Sequence, residues 1–230
     1  MLQLQRQNDI MRLLEKNKEL TVKELCSFLY CSPATIRRDL SELEKQGLIK
    51  RSFGGAIINE SFSNVLPLAV RGNKHISDKK KICAKAASFI HSGATIFIDA
   101  STTAFFLVPY LRDISDLTVI TNNPHLNIAL SEMNIRNFST GGEMLTTSIS
   151  LTGSEAERFI RGIHADMMFF SARGIFNGNI SDSSKGERDI KIAMLENSTR
   201  HYFLCDSSKK QQQFPYYVTD LSNIDEMIEE

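Results

Sequence analysis

The stretch Ser32-Pro33-Ala34-Thr35-Ile36-Arg37-Arg38-Asp39-Leu40 decides the fold of the amino-terminal part of this chain. Ser32 can accept a hydrogen bond from the amides of a first helical turn. Pro33 suits the first helical position, where no amide hydrogen is needed. The stretch therefore predicts a helix that begins at Pro33.

The spacing of residues along this helix distinguishes two faces. Ile36, Leu40 and Leu43 recur at i, i+4 and i+7, which predicts a stripe buried in the core. The other side carries Thr35, Arg37 and Arg38. Taken alone, such a helix is more typical of a solvated surface than of a DNA contact, because arginine is common on helix surfaces.

The segment before this helix predicts two further helices. Thr21-Val22-Lys23-Glu24 is a capping box, whose first and last residues can bond each other's backbone amides, and it opens a short helix that ends near Tyr30. Two short helices joined by a tight turn match the helix-turn-helix arrangement, in which the second helix enters the major groove of DNA. An earlier helix would complete a three-helix core through the apolar residues of one face, Ile10, Leu13 and Leu14.

The residues after the basic helix predict a β-hairpin, or wing. Gly47 is expected to end the helix, residues 48–53 alternate as a strand does, and Gly54-Gly55 turns the chain back. A capped helix, a turn, a basic helix and a basic wing within about sixty residues together indicate DNA binding. Arg38 is the expected base contact, because bidentate arginine to guanine is the commonest specific contact. The predicted DNA contacts are Ser32, Thr35, Arg37, Arg38, Lys50 and Arg51.

The segment from Arg6 to Ala56 resembles the winged helix-turn-helix of the DeoR family of bacterial transcriptional regulators. The family signature Thr-Ile-Arg-Arg-Asp-Leu stands here at residues 35–40, and the Arg-x-x-Gly-Gly-Ala of its wing stands at residues 51–56. Phe53 occupies a position where the family often has histidine. The resemblance implies a DNA-binding transcriptional regulator, and we expect a repressor.

Composition indicates a globular protein with two domains. Of 230 residues, 42% are hydrophobic and 23% are charged. No apolar run reaches the roughly 18 residues that a membrane helix needs. Because residues 1–18 lack the apolar centre of a signal peptide, we expect a cytoplasmic protein without a membrane contact.

The four cysteines form no Cys-x-x-Cys pair and are interpreted as buried thiols. Neither cysteine nor histidine spacing predicts a metal site or a cofactor.

The charge of the chain is balanced, with 27 basic and 27 acidic residues. Residues 1–60 hold 10 basic and 8 acidic residues. This excess is small, so affinity for DNA must come from the placement of charges more than from their number. One winged domain also reads too few base pairs to specify a single operator within a genome. We therefore expect a homo-oligomer, a dimer or tetramer, on repeated half-sites of a double-stranded DNA operator.

The remainder of the chain alternates strand and helix patterns. Residues 58–73 lose this periodicity and predict a linker between a DNA-binding domain at 1–57 and a second domain at 74–230. The alternation predicts an α/β domain with a mainly parallel, doubly wound sheet. The strand patterns lie at 94–98, 117–120, 167–170 and 201–205, and the helical patterns at 103–111, 124–133, 154–160 and 187–197.

Polar residues follow the predicted strands, at the edge where ligands bind in such sheets. Residues 99–103 offer hydroxyls and amides at a helix start, which suits a phosphate, although Ser101 would equally serve as a simple helix cap. Four further segments would converge on the same rim, namely Thr121-Asn122-Asn123, Gly141-Gly142, residues 171–174 and residues 206–209.

The second domain again resembles the DeoR family, whose carboxy-terminal sensor domain is similar to ribose-phosphate isomerases. The family pattern Asp-x-Gly-Thr-Thr corresponds to residues 99–103, with Ser101 in place of the glycine. The Thr-Asn-Asn, Gly-Gly and Asp-x-Ser-Lys elements follow in order. The resemblance implies a phosphorylated sugar as effector. The residues predicted to bind it are Asp99, Ser101, Thr102, Thr103, Thr121, Asn122, Asn123, Gly141, Gly142, Arg173, Asp182, Lys185, Glu187 and Lys209.

Two alternatives remain open at this point. Arg173 could grip a phosphate, or it could pair with Asp99 or Asp182. The second domain could also be a phosphosugar isomerase or deaminase-like enzyme behind a vestigial DNA-binding domain. Its candidate bases would be Asp99, Asp182, Glu187 and Asp206. We expect no enzyme, because a catalytic domain fused to a DNA-binding module is an unusual arrangement.

Overall fold

The computed structural model describes residues 3–45, 49–58, 72 and 74–230. The chain divides into two compact units, one within residues 1–73 and one formed by residues 74–230. The helix end expected at Gly47 and most of the linker expected at residues 58–73 lie outside the described residues.

The first unit is a three-helix core with a small antiparallel sheet. Its helices are α1 (Gln3–Asn17), α2 (Val22–Leu29) and α3 (Pro33–Lys45). Its strands are β1 (Glu19–Thr21), β2 (Ile49–Ser52) and β3 (Gly55–Ile58), in the order β1-β3-β2. The expected stripe of Ile36, Leu40 and Leu43 packs with Ile10 and Leu25 in one buried cluster. This arrangement confirms the winged helix-turn-helix.

Local hydrogen bonds fix the helix boundaries where the sequence predicts them. The hydroxyl of Thr21 accepts the amide of Glu24, and the carboxylate of Glu24 accepts the amide of Thr21. The bond from that amide lowers the pKa of Glu24. Tyr30 ends α2 in the left-handed conformation, with a φ of 51°. Ser32 Oγ accepts the amide of Thr35 at 3.2 Å, as expected of a cap.

The wing is a hairpin with the two-residue turn Phe53-Gly54. Ser52 pairs with Gly55 across this turn, and Gly54 has a φ of 81°, which residues with a β-carbon rarely adopt. At Gly55, a β-carbon would lie 2.2 Å from the carbonyl oxygen of Leu20 in β1. The two glycines of the wing signature are therefore required for different reasons. Gly54 makes the turn, and Gly55 allows close packing against β1.

The second unit contains four α-helices and eleven strands among its described residues. The helices are α4 (Ile76–Ala87), α5 (Pro124–Glu132), α6 (Ser154–Arg161) and α7 (Lys185–Glu196). The strands are β4 (Thr95–Ile98), β5 (Thr118–Thr121), β6 (Arg136–Ser139), β7 (Glu143–Leu145), β8 (Ser150–Thr152), β9 (Ala165–Phe170), β10 (Gly174–Phe176), β11 (Asn179–Asp182), β12 (Ser198–Leu204), β13 (Tyr216–Asp220) and β14 (Glu226–Ile228).

A six-stranded parallel sheet lies at the centre of the second unit, in the order β14-β12-β9-β4-β5-β6. Ile96 and Ile98 of β4 belong to the apolar cluster with α4 and α5, whereas Phe97 belongs to the cluster with α6 and α7. Helices therefore cover both faces, which confirms the predicted doubly wound α/β arrangement. Two small antiparallel sheets, β7-β8 and β10-β11-β13, are additions that the sequence patterns do not predict.

One predicted helix has a different form. The pattern at residues 103–111 predicts an α-helix, but Ala104–Tyr110 is a 3-10 helix. Pro109 lies inside it, and proline both lacks an amide donor and clashes with the carbonyl four residues earlier in an α-helix. Shorter 3-10 turns lie at Ser207–Lys209 and Leu221–Asn223.

The four cysteines differ in burial. Cys83 and Cys205 are buried, and burial raises the pKa of each thiol to about 12. Cys26 and Cys31 are only half-buried, so the expectation of four buried thiols is wrong for these two. Both lie in the small first unit, and a domain of that size cannot bury all its side chains.

Candidate DNA interface and effector pocket

The start of α3 presents the predicted DNA contacts to solvent. Arg37, Arg38 and Ser32 are exposed, and Thr35 is half-buried. The Ser32 Oγ and Thr35 Oγ1 atoms lie 2.9 Å apart and share a hydrogen bond. The structure therefore brings these four polar side chains to the first two turns of one helix, the part of a recognition helix that contacts base edges.

Asp39, which follows the two arginines, faces the protein interior. Its carboxylate is buried and accepts two hydrogen bonds from the guanidinium of Arg6 in α1, one of them 3.1 Å long. These bonds raise the pKa of Arg6 above its ordinary value. Asp39 therefore ties α3 to α1. Its position three residues after Ile36, on the buried stripe, is the sequence signal for this role.

An open cleft of about 470 Å³ lies between α2, the start of α3 and the wing. Arg37 of α3 and Gly54 of the wing turn both line it, so the recognition helix and the wing border one surface. Lys23 of α2 lines the same cleft and is exposed. Sequence reasoning did not name Lys23 among the candidate DNA contacts. Its place in the first turn of α2, the helix that crosses the DNA backbone in this motif, could have indicated it.

The wing carries the two predicted phosphate contacts. Lys50 and Arg51 are both exposed on β2. Because successive residues of a strand point to opposite faces, the two cations lie on the two faces of the hairpin. The wing can therefore present positive charge on both of its sides.

A buried ion-pair network connects the end of β4 with α7 and β11 in the second unit. Lys191 of α7 places its Nζ 3.0 Å from Oδ2 of Asp182 and 3.3 Å from Oδ2 of Asp99. All three side chains are buried. Sequence reasoning named both carboxylates but missed the lysine, because a lysine within a helical pattern is usually solvent-exposed.

The charges around Lys191 decide the protonation of this network. Burial by itself lowers the pKa of Lys191, but the carboxylates of Asp182, Asp99 and Glu187 outweigh burial and raise that pKa above its ordinary value. Burial also raises the pKa of Asp99, and the ammonium of Lys191 offsets this rise only in part. One ammonium thus faces three carboxylates, which makes the network acidic.

Three residues predicted to bind the effector carry a buried polar atom without a hydrogen-bond partner among the described residues. These atoms are Oδ2 of Asp99, Oγ1 of Thr103 and Oδ1 of Asn122. Oδ2 of Asp99 has its ion pair with Lys191, at 3.3 Å. Buried polar atoms are nearly always hydrogen-bonded in folded proteins, so each of these three needs an explanation.

Hydrogen bonds join Asn122 to the acidic network through β8. Nδ2 of Asn122 donates to the carbonyl oxygen of Leu151 at 3.0 Å. The neighbouring Ser150 donates its hydroxyl to Oε1 of Glu187 at 3.4 Å, and Glu187 lies one helical turn before Lys191. The predicted residues that the structure brings together in this way are Asp99, Asn122, Asp182 and Glu187.

Three other predicted residues stabilise local structure. Thr121 Oγ1 accepts the amide of Asn123 at 3.1 Å, and the side chain of Asn123 caps α5 by accepting two of its amides. Ser101 Oγ accepts the amide of Ala104 at 3.1 Å, which is the simple cap considered for it. The helix that follows this loop is a seven-residue 3-10 helix and not the α-helix expected there.

The two predicted glycines have positive φ angles, 65° at Gly141 and 104° at Gly142. A β-carbon at Gly142 would lie 2.5 Å from the carbonyl oxygen of Thr152, whereas a β-carbon at Gly141 would have no atom within 4 Å. Gly142 therefore allows the close approach of β8 and the start of α6.

The predicted cations occupy different surroundings. Lys209 donates to Oδ2 of Asp206 at 2.6 Å. Lys185 is exposed and ion-paired with Asp189 at 2.9 Å. Arg173 forms no ion pair with any residue of the described ranges, and the two carboxylates considered for it pair with a lysine instead. The pairing alternative for Arg173 is therefore wrong.

Lys79 of α4 is a second basic residue that sequence reasoning missed. Its Nζ donates to Oγ1 of Thr102 at 3.3 Å, beside the loop that follows β4. Lys79 is buried, whereas the adjacent Lys80 and Lys81 are exposed. Three consecutive lysines look alike in the sequence, and only the packing of α4 distinguishes the first of them.

The ranges that the structure describes contain no group of three or more His, Cys, Asp or Glu side chains arranged to hold a metal ion. Within the same ranges, no helix combines the length and apolar character needed to cross a bilayer.

Both units match known protein families. Residues 6–62 match the DeoR-like helix-turn-helix domain, and residues 74–230 match the DeoR C terminal sensor domain. The HTH-type transcriptional regulator GolR of Listeria innocua is 36% identical, over 99% of this chain and 91% of its own length. The glycerol-3-phosphate regulon repressor of Escherichia coli K12 is 34% identical, over 91% of this chain and 83% of its own length.

A solved structure shares the fold at low sequence identity. It is eIF2B delta from Chaetomium thermophilum, which has a TM-score of 0.52 at 15% identity, over 68% of this chain and 57% of its own length. The chain thus spans little more than half of that protein, and the likeness concerns the fold alone. The family matches and the relatives, in contrast, cover nearly the whole chain. This chain therefore belongs to the DeoR family of helix-turn-helix transcriptional regulators.

Proposed function

We propose that this regulator represses genes of sugar metabolism and that a phosphorylated sugar, bound within residues 74–230, controls its affinity for DNA. The family supports this proposal, as does the similarity to a glycerol-3-phosphate regulon repressor. The observation that carries the effector site is the set of buried polar atoms on Asp99, Thr103 and Asn122 that lack a hydrogen-bond partner among the described residues, although Oδ2 of Asp99 is ion-paired with Lys191. The hydroxyl groups of a sugar can bond all three atoms.

The acidic network would receive the hydroxyl end of the sugar. Oδ2 of Asp99 and Oδ1 of Asn122 can accept hydrogen bonds that sugar hydroxyls donate. Asp182 and Glu187 would hold Lys191 in place. The predicted residues that shape the pocket through local structure would be Ser101, Thr121, Asn123, Gly141 and Gly142.

The phosphate would bind at basic groups outside that network, because nearby like charges repel. Two cations are suited to this contact, Lys79 and Arg173, because each can donate charged hydrogen bonds to a phosphate. The hydroxyl of Thr102, which already bonds Lys79, could add a further bond. Lys209 would contribute from its pair with Asp206, whereas the exposed Lys185 would stay at the rim.

In the DNA-binding domain, residues 1–57, we assign the base contact to Arg38 because arginine pairs bidentately with guanine. Arg37 and Lys23 border the cleft and would contact phosphates, as would Lys50 and Arg51 of the wing. Ser32 and Thr35 would add contacts from the start of α3. Residues 58–73 would link this domain to the sensor domain at 74–230.

The effector would act by favouring one of two arrangements of the DNA-binding domains, which requires a different affinity for each arrangement. A single winged domain reads few base pairs, so the regulator would bind as a dimer or tetramer in the cytoplasm. Light scattering at working concentrations, with and without DNA, tests the assembly. A monomer under both conditions would contradict it.

We further propose that the sensor domain binds its sugar phosphate without converting it. Asp99 and Asp182 are ion-paired with Lys191, and Asp206 is ion-paired with Lys209, so three of the four candidate bases are held in buried or half-buried ion pairs. Proton NMR in deuterium oxide tests this with pentose 5-phosphates. We expect no exchange at the carbon next to the carbonyl. Exchange that Asp99→Asn abolishes would restore the isomerase hypothesis.

A pair of threonine variants tests the effector site. Thr103→Val removes the hydroxyl that lacks a partner, so without ligand we expect stability equal to or above that of the wild type. Effector binding should be about tenfold weaker, the loss of roughly one hydrogen bond. Thr121→Val removes the hydroxyl that accepts the amide of Asn123. We therefore expect it to lose about 1 kcal/mol of stability and, because Thr121 shapes the pocket without contacting the effector, to lose less effector affinity than Thr103→Val.

A thermal-shift screen of phosphorylated sugars identifies the ligand, because a ligand of the native state raises the melting temperature. Calorimetric titration of the strongest hit into both variants then measures affinity. A panel without any hit, or a hit that Thr103→Val binds as tightly as the wild type, would contradict the proposed site.

A further inference from the structure

Phe53 is fully exposed at the tip of the wing. It occupies the first position of the two-residue turn, and Ser52 and Gly55 pair directly behind it. A turn this short leaves the ring projecting into solvent. A single exposed apolar residue needs no explanation by itself, so the surroundings of the ring decide what it does.

The surroundings of Phe53 are those of a DNA-binding surface. Lys50 and Arg51 are exposed on the strand that leads to the turn. Gly54, the next residue of the turn, lines the same cleft as Arg37 of the recognition helix. The apolar tip is therefore flanked by cations and continuous with the surface that faces DNA. A DNA groove has the complementary pattern, with phosphates along its edges and apolar sugar walls inside.

We propose that Phe53 enters the minor groove next to the major groove that α3 occupies, and that its ring contacts the sugar walls or a base step there. The minor groove is the next groove along the duplex, and apolar side chains such as phenylalanine act there as wedges. Lys50 and Arg51 hold the phosphates on either side. Because the contact of Phe53 is apolar, it adds affinity without releasing counterions and favours sequences whose steps open easily.

Salt-dependent binding separates this role from a phosphate contact. The probe is a duplex selected from a random-sequence library by the full chain, and the dissociation constant is measured by fluorescence anisotropy at several salt concentrations. Phe53→Ala should bind about tenfold more weakly at every salt concentration, with an unchanged slope of log K against log salt. Lys50→Ala should instead reduce that slope by about one.

Two further variants control for general damage. Phe28 is also an exposed phenylalanine, but it lies on the opposite flank of α2 from the cleft residues Lys23 and Cys26. Phe28→Ala should therefore bind the duplex like the wild type. Phe53→Leu keeps an apolar side chain and should retain most of the affinity. Because Phe53 is exposed, neither of its variants should change the melting temperature.

Methylation interference identifies the groove. Dimethyl sulfate modifies adenine N3 in the minor groove and guanine N7 in the major groove. Methylation of an adenine beside the recognition site should prevent the wild type from binding. Binding of Phe53→Ala should be insensitive to that adenine methylation, and methylation of guanine in the recognition site should still prevent it. The proposal is overturned if Phe53→Ala binds as tightly as the wild type, if its salt slope falls as in Lys50→Ala, or if no adenine interferes with the wild type.

Discussion

The Nζ atom of Lys191 lies 3.0 Å from Oδ2 of Asp182, and this buried ion pair joins α7 to the end of β11. Neither charge could stay buried at low cost without the other. The residues proposed to hold the effector therefore also hold the fold together. Stability and effector binding must for this reason be measured separately for every substitution in the network.

Lys191→Met should destabilise the sensor domain by about 3–5 kcal/mol at pH 7, because it leaves buried carboxylates without their cation. Burial raises the pKa of Asp99, and without Lys191 no ammonium would offset this rise. The loss should therefore be largest at neutral pH and should shrink as pH falls towards 4. Urea unfolding at pH 5 and pH 7.5 measures both values.

Lys185→Met is the matched control for that variant. Lys185 lies in the same helix, but its ion pair with Asp189 is solvent-exposed on the lysine side. Such pairs contribute less than about 0.5 kcal/mol. Equal losses from the two lysine variants would show that the buried network does not stabilise the fold.

Asp99→Asn should separate stability from effector binding. Burial raises the pKa of Asp99 above its ordinary value of 3.8, so the ionised side chain costs folding free energy at any pH above that value. This cost disappears at low pH, because the carboxyl group of Asp99 is then protonated and uncharged in the folded protein. The variant lacks this cost, so its stability relative to that of the wild type should be greater at pH 7 than at pH 4.

The same variant should bind the effector more weakly, because the amide cannot replace both carboxylate acceptors. Urea denaturation at pH 4 and pH 7 measures the stability of the variant, and calorimetric titration measures its affinity for the effector. If Asp99→Asn loses more stability at pH 7 than at pH 4, the ion pair with Lys191 outweighs burial and the direction assigned to the pKa is wrong.

Gly142→Ala should cost clearly more stability than Gly141→Ala. Both residues have positive φ angles, so each alanine introduces backbone strain of about 1 kcal/mol. At Gly142, the added β-carbon would also lie 2.5 Å from the carbonyl oxygen of Thr152. Thermal unfolding of the two variants measures the difference. Similar losses would mean that β8 is not held as close to Gly142 as the structure places it.

Asp39→Asn should destabilise the DNA-binding domain by about 2 kcal/mol, since it weakens a mostly buried pair with Arg6. Glu42→Gln removes an exposed pair with Lys45 in the same helix and should cost less than about 0.5 kcal/mol. Below its melting temperature, Asp39→Asn should still bind DNA, because Asp39 faces the core. Strong loss of affinity from the folded variant would instead indicate that Asp39 contacts the operator.

The elements with a clear periodicity could be predicted from the sequence. The stripe of Ile36, Leu40 and Leu43 and the two helix caps depend on neighbours within a few residues, so local spacing was enough for them. The parallel sheet followed from alternating strands and helices. The 3-10 form of Ala104–Tyr110 did not, because one proline within an apolar run leaves both helix types open.

The candidate sites were predicted only in part, because burial of a charge is a tertiary property. Asp99 and Asp182 could be named because they follow strand patterns. Lys191 and Lys79 could not, since lysines in helices are usually exposed and their partners lie far away in the sequence. In the DNA-binding domain, the spacing indicates that Asp39 is buried, but it does not identify the partner Arg6, which is 33 residues away.

The most direct test of this account is the affinity of the full chain for its selected DNA duplex, measured by fluorescence anisotropy with and without the sugar phosphate found by thermal shift. We predict that a saturating effector changes this affinity by at least about fivefold in the wild type, and that the half-maximal effector concentration for this change is about tenfold higher in Thr103→Val. Failure to bind any duplex, or an effector that binds the protein and leaves its DNA affinity unchanged, would contradict the account.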